Sequence, residues 1–242
     1  MRLIRIAVAV CVLLLGASGL AQADNLVLAS GAGYKKMVNE LVAVYEQRTG
    51  QTIDRLYGNM GRVVALSKES GRVDIALGAE DFLRSGGLEF RSTHMLGKGR
   101  LVLAYPKGSS CSSVATLDDP AVKRIALPDT SKAIYGRAAR EFLTSTGRLP
   151  DIKPRLVEVA TVPQVFSYLV AHEVDMGFLN LTHALHVQDK LGGYVLVPEK
   201  DYEPISIVAG ELQGGGKHEQ VLEFFRFLAT PEAKAIISRS GL

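Results

Sequence analysis

Short apolar runs alternate with amphipathic helical patterns along nearly the whole chain after residue 24. Strand readings fall on residues 25–29, 52–57, 73–78, 100–105, 124–127, 155–159, 175–180, 194–197 and 205–209. Helical readings fall on residues 34–48, 62–68, 134–145, 163–171 and 183–191, with two more at 219–228 and 231–240. The first helix carries Val38, Leu41, Val42 and Tyr45 at i, i+3, i+4 and i+7, which lie on one face. Gly50 suits the residue that closes it, and Pro163 suits a first helical turn. Strands alternating with helices imply an α/β fold with mostly parallel sheets covered on both faces. Ligands in such sheets bind at the carboxyl ends of the strands, so a site is to be sought in the strand-to-helix turns.

Three of those turns carry glycine or small polar residues: Ser30-Gly31-Ala32-Gly33 before Tyr34, Gly58-Asn59-Met60-Gly61, and Thr130-Ser131-Lys132-Ala133. A helix start exposes N–H groups with no partner inside the helix, and the dipole adds roughly half a positive charge there. Several such starts converging on one cleft would bind an anion with neutral donors, without a lysine or arginine in contact. Taken singly, such turns are ordinary structure in any α/β fold. The first lacks the G-x-G-x-x-G spacing of a dinucleotide site, and no phosphate-loop motif is present. Lys35 and Lys36 read as a solvated helix face, and Tyr34 as a candidate contact.

The first residues predict export. Arg2 and Arg5 precede an apolar run at residues 6–15, and Ala21-Gln22-Ala23 stands before Asp24, the layout of a signal peptide at residues 1–23 cleaved after Ala23. The run is shorter than the ~20 residues that span a bilayer. Its removal lowers the formal net charge from +3 to +1 and leaves Cys111 as the only cysteine. That excludes an internal disulfide and a multi-cysteine metal site, and nothing suggests nucleic acid as a partner. An enzyme reading finds little chemistry. His183 and His186 lie three apart on one helix and could share a metal, but read as a surface pair. Asp74, Glu80 and Asp81 cluster around one strand and read as caps on the following turn. No G-x-S-x-G elbow is present.

Several stretches carry a resemblance over nearly the whole exported chain: Leu28-Ala29-Ser30 with its turn, residues 73–81, residues 101–107, Ala133-Ile134-Tyr135-Gly136-Arg137-Ala138-Ala139, Glu173-Val174-Asp175-Met176-Gly177-Phe178, and residues 224–228 with Thr230-Pro231-Glu232-Ala233. In these the chain resembles the periplasmic molybdate-binding protein family, a branch of the type II solute-binding proteins. The resemblance implies the type II periplasmic-binding-protein fold: two α/β lobes with mixed, mostly parallel sheets joined by two hinge strands. The first lobe would hold residues 24–103 plus 206–242 and the second residues 104–205, with crossings near Tyr105 and Pro204. The ligand, an oxyanion rather than a bare metal cation, would lie between lobes that close by hinge motion. A membrane permease and an ATPase of an ABC importer would carry out transport. The chain itself would be a periplasmic monomer without catalysis or cofactor.

In the family the oxyanion is held by serine hydroxyls and N–H groups in the first two turns, by N–H groups at two helix starts of the second lobe, and by a tyrosine hydroxyl. Carried onto this sequence, the ligand-binding candidates are Ser30, Gly31, Ala32, Gly33, Tyr34, Asn59, Met60, Gly61, Ser131, Ala133, Tyr135, Asn180 and Thr182. Ala32 stands where a serine is expected, Asn59-Met60-Gly61 replaces a serine run, and Asn180 takes the tyrosine position. Ala133 matches the third position, and the fourth falls at Val162 or Pro163, of which proline has no N–H to donate. Molybdate or tungstate is the expected ligand. The alternatives are another small anion or organic solute on the same fold, a secreted enzyme using Asp74, Glu80 or His183, and an adhesin or sensor module.

Overall fold

In the computed structural model, which describes residues 25–242, β1 (Leu26–Gly31) is buried along its whole length. The expected signal segment lies outside the described residues. A single 3₁₀ turn (Ala32–Tyr34) leads into α1 (Lys35–Thr49), whose inner face is Met37, Val38, Leu41, Val42 and Tyr45. Gly50 ends that helix at φ 70°, donating its N–H to the Glu46 carbonyl, in a backbone conformation where a Cβ would be strained. Then come β2 (Ile53–Gly58), α2 (Met60–Glu69), β3 (Ile75–Ala79), α3 (Glu80–Ser85) and β4 (Phe90–Gly99).

With only Arg100 between, the chain leaves β4 and enters β5 (Leu101–Tyr105), which belongs to a second sheet. That sheet is completed by β6 (Ile125–Pro128), β7 (Leu156–Val159), β8 (Met176–Asn180) and β9 (Gly193–Leu196). Helices α4 (Ile134–Ser145) and α5 (Leu149–Ile152) lie between β6 and β7 in the chain, α6 (Val162–Val170) follows β7, and α7 (Leu181–Val187) follows β8. The chain returns to the first sheet as β10 (Ile205–Leu212) and ends in α8 (His218–Leu228) and α9 (Pro231–Arg239).

The strand orders β2-β1-β3-β10-β4 and β7-β6-β8-β5-β9 repeat one plan. Each sheet has a parallel trio, β2-β1-β3 or β7-β6-β8, with strand-to-helix turns at one edge. Each is completed by antiparallel pairings, of β10 with β3 and β4, and of β5 with β8 and β9. The sheets are therefore mixed. Strand β4 and helix α3 were not expected, since β4 is polar (Arg91, Ser92, Thr93, His94, Lys98), interrupted by glycine and largely exposed. It is an edge strand, ordered by its ladder with β10 rather than by a buried face.

Candidate ligand site

The parallel trios aim their carboxyl edges at each other, and one cavity lies between them. Gly31, Ala32, Gly33 and Tyr34 line it from the end of β1, and Gly58, Asn59 and Met60 from the end of β2. Ala133, Ile134 and Tyr135 line it from the start of α4, and Thr161 and Val162 from the end of β7. Its volume is about 30 Å³, room for roughly two or three water molecules or one compact ion.

Four helix starts thus meet at one small space. The N–H groups of Ala32, Gly33, Met60, Ile134, Tyr135 and Val162 precede the first intrahelical bond of their elements, so helix geometry leaves them for another acceptor. Neighbouring donors are already used: Gly61 N–H donates to the Lys132 carbonyl at 3.0 Å and Arg62 N–H to Asn59 Oδ1 at 2.9 Å. No charged side chain is among the lining residues. The lysines of α1 turn elsewhere: Lys35 Nζ stands 5.6 Å from the Tyr57 ring, and Lys36 Nζ donates to the His186 carbonyl at 2.8 Å.

The halves are joined around the cavity. The Tyr34 and Tyr135 hydroxyls lie 2.5 Å apart in a buried hydrogen bond. Burial raises both phenols above their ordinary value, so both are neutral hydroxyls. Asn180 Nδ2 donates to the Gly33 carbonyl at 3.3 Å, Asn59 Nδ2 to the Ala160 carbonyl at 3.4 Å, and Arg137 pairs with Asp81 at 2.5 Å. The Met60 side chain fills the hollow over Gly31 and Gly78, where a Cβ would meet its sulfur at 3.3 and 2.8 Å.

Of the expected site residues, Gly31, Ala32, Gly33, Tyr34, Asn59, Met60, Ala133 and Tyr135 line the cavity. The others do not. Ser30 is fully buried within β1, its hydroxyl donating to the Gly31 carbonyl at 3.4 Å, because a strand residue before the turn points into the core. Ser131 folds back onto Asp129, to which its N–H and hydroxyl both donate at 2.8 Å. Gly61 stands just behind the lining with its N–H spent on Lys132. Asn180 and Thr182 are buried at the start of α7, and Asn180 touches the site only through Gly33. Ile134, Gly58 and Thr161 were missed. Thr161 had a signal: it caps α6 before Pro163, accepting from Gln164 N–H at 3.4 Å, the same helix-start logic that singled out the other turns.

The expected carboxylate cluster is dispersed. Asp74 sits at the opposite end of β3 from the cavity edge, accepting from Val27 N–H at 2.8 Å and Lys217 Nζ at 3.2 Å. Glu80 pairs with Arg84 and Asp81 with Arg137, and α3 has no side-chain cap. Nor are His183 and His186 a surface pair. His183 is buried edge-on to Phe166 at 5.5 Å, and among the described residues its Nε2 is unpartnered and no group of three or more metal-binding side chains occurs.

His183 supplies a pH test. Burial, with Lys36 and His186 nearby, lowers its pKa from 6.5 to about 4, so the folded protein holds it neutral. Above 6.5 neither state binds the proton; between 6.5 and about 4 only the unfolded chain does, so stability is lost as the pH drops through that window. The loss approaches ~3 kcal/mol at the bottom. His94 and His186 are lowered in the same direction by burial. Urea unfolding at pH 7.5 and 4.5 should show a clearly smaller acid loss in His183→Phe than in the unsubstituted protein; equal losses would refute this assignment.

The family model for bacterial extracellular solute-binding proteins matches residues 26–242. The chain belongs to that family. It is 24% identical over 238 residues to the molybdate-binding protein ModA of Rhodobacter capsulatus, spanning 95% of this chain and 92% of that one. The solved periplasmic molybdate-binding protein of Azotobacter vinelandii superposes with a TM-score of 0.81 at 23% identity, over 90% of this chain and 98% of that one. The sulfate-binding protein SubI of Mycobacterium tuberculosis superposes with a TM-score of 0.74 at 10% identity, over 90% and 85%. These similarities fix the fold of this solute-binding protein as the mixed two-sheet architecture described above. Among the described residues no helix is long and apolar enough to cross a membrane.

Proposed function

We propose that this solute-binding protein is the periplasmic receptor of an ABC importer and takes a molybdate- or tungstate-type oxyanion into the cavity between its sheets. The observation that carries this reading is the convergence of four helix starts on a space of about 30 Å³ with no charged side chain in its lining. Oriented N–H groups and helix dipoles satisfy an anion without a counter-charge, and a compact cavity discriminates by size among ions of equal charge. The names of the R. capsulatus and A. vinelandii relatives support the same ligand. The lobes are the two sheet-centred halves, with the first crossing drawn back from the expected Tyr105 to Arg100 because β5 (Leu101–Tyr105) pairs in the second sheet; they act as a monomer that delivers its cargo to a permease and ATPase. Donation comes from backbone at Ala32, Gly33, Met60, Ile134, Tyr135 and Val162 rather than from serine hydroxyls.

A panel of molybdate, tungstate, sulfate, phosphate, chromate and small carboxylates in thermal unfolding tests this. At a thousand times its dissociation constant a ligand adds about 4 kcal/mol, or roughly 8–16 °C of midpoint for a chain this size. A shift with molybdate and tungstate but not sulfate is expected; no shift with any oxyanion would sink the reading. Met60, Ile134 and Val162 in the lining favour a second reading, a compact organic anion with an apolar substituent, which a response to carboxylates alone would establish.

A further inference from the structure

Of the hydrogen bonds that cross the cleft beside the cavity, three share one design. In each, a backbone carbonyl at a helix start accepts from the opposite half: Gly33 from Asn180, Ala160 from Asn59, and Lys132 from the Gly61 N–H. The residue after each carbonyl lines the cavity. We infer that Asn180, with Asn59 as its counterpart on the other side, is a positioning residue of the site: it grips a carbonyl across the cleft, so that closing the lobes and fixing the backbone donors are one event.

Gly33 is the middle residue of the 3₁₀ turn before α1. In that turn the Lys35 N–H donates to the Ala32 carbonyl, and the Ala32 and Gly33 N–H groups precede that bond. Gripping the Gly33 carbonyl therefore holds the turn that carries those two donors. A trans peptide is planar, with C=O and N–H pointing opposite ways, so the Ala160 carbonyl held by Asn59 turns the Thr161 N–H away from Asn59. Each carboxamide is set for its task. Asn59 spends its oxygen on Arg62 N–H at 2.9 Å, capping α2, which leaves its nitrogen to reach across. Asn180 is fully buried, and among the described residues its oxygen has no partner. That oxygen lies against Gly33, where a Cβ would meet it at 2.7 Å, so the approach needs a glycine there. A buried, unmatched acceptor is costly, and its cost is tolerated where the other end of the amide is needed.

The inference rests on the receptor reading, a cleft that closes on its ligand, and its test does not require the ligand to be known. Spin labels at the exposed sites Ser85→Cys and Thr144→Cys, in a Cys111→Ala background, report the distance between the halves. In ligand-free protein, Asn180→Leu should lower the ratio of closed to open molecules about fivefold, the value of one net hydrogen bond. Asn180→Asp, which sets a buried carboxylate against the Gly33 carbonyl, should open the cleft at least as far at pH 8 and close it again in part at pH 5, because burial in the closed form favours the protonated acid, which can donate. Asn59→Asp, which keeps the cap oxygen, should act in parallel. Molybdate affinity of each variant should fall with its closed population. Unchanged distance distributions in Asn180→Leu, or an Asn180→Asp distribution that ignores pH, would overturn the inference. Failure of the unsubstituted protein to bind any oxyanion would sink the proposed ligand alone, and the distances would still decide the role of Asn180.

Discussion

Gly136→Val should lower the unfolding midpoint by roughly 6–12 °C, the consequence of about 3 kcal/mol in a chain of this size. Gly136 lies in the first turn of α4, where a Cβ would meet the Asp129 carbonyl carbon at 2.6 Å and press on the carbonyl oxygens of Pro128 and Asp129. All three atoms are backbone, so no side-chain rotation can relieve the contact. The helix start would have to lift off the turn at residues 128–133, taking Ile134 and Tyr135 out of the cavity lining. Ligand response should therefore fall together with stability. Gly216→Ala is the matched control, since a Cβ there meets nothing within 4 Å, and its midpoint should stay unchanged. A Gly136→Val protein with an unaltered midpoint would mean that the start of α4 is not seated on that turn.

Phe224→Ala should cost about 3–5 kcal/mol, roughly 6–20 °C. Phe224 is buried on α8, edge-on to Tyr45 of α1 at 5.2 Å and stacked on Phe227 at 6.0 Å. These rings join the C-terminal helices to the first helix, fixing the return of the chain to the first sheet. Removing the central ring leaves a cavity bounded by rigid aromatic neighbours that collapse poorly. Phe224→Leu, which keeps most of the apolar volume, should recover the larger part of the loss. Equal midpoints for Phe224→Ala and the unsubstituted protein by calorimetry would show that α8 contributes little to the first half.

Elements whose pattern is local were readable in advance. The inner face of α1, the Gly50 terminus, the whole of α4 and the proline-started α6 follow from apolar spacing, left-handed glycine and fixed proline φ, none of which needs a distant partner. The misses have the opposite character. The polar edge strand β4 owes its conformation to β10, which lies more than a hundred residues away in the chain. His183 looked like a surface residue until Phe166 from α6 covered it.

The candidate site divides in the same way. Gly31 to Tyr34, Asn59, Met60, Ala133 and Tyr135 were legible because strand-to-helix turns with small residues are a local signature, and a parallel trio places its turns on one edge. Ser30, Ser131 and Thr182 are chemically suitable donors that face the core or their own turn, a matter of side-chain direction that composition does not encode. Asn180 matched a ligand position, yet in the fold its nitrogen reaches the Gly33 carbonyl. The sequence by itself determined most of the elements, their order and three of the helix starts available to an anion, because those depend on periodicity and on backbone rules within a few residues. Tertiary structure decided which starts face one another, how small the space between them is, and which carbonyls are gripped across it. Those properties arise from residues far apart in the chain meeting at close range, and no local pattern records that distance.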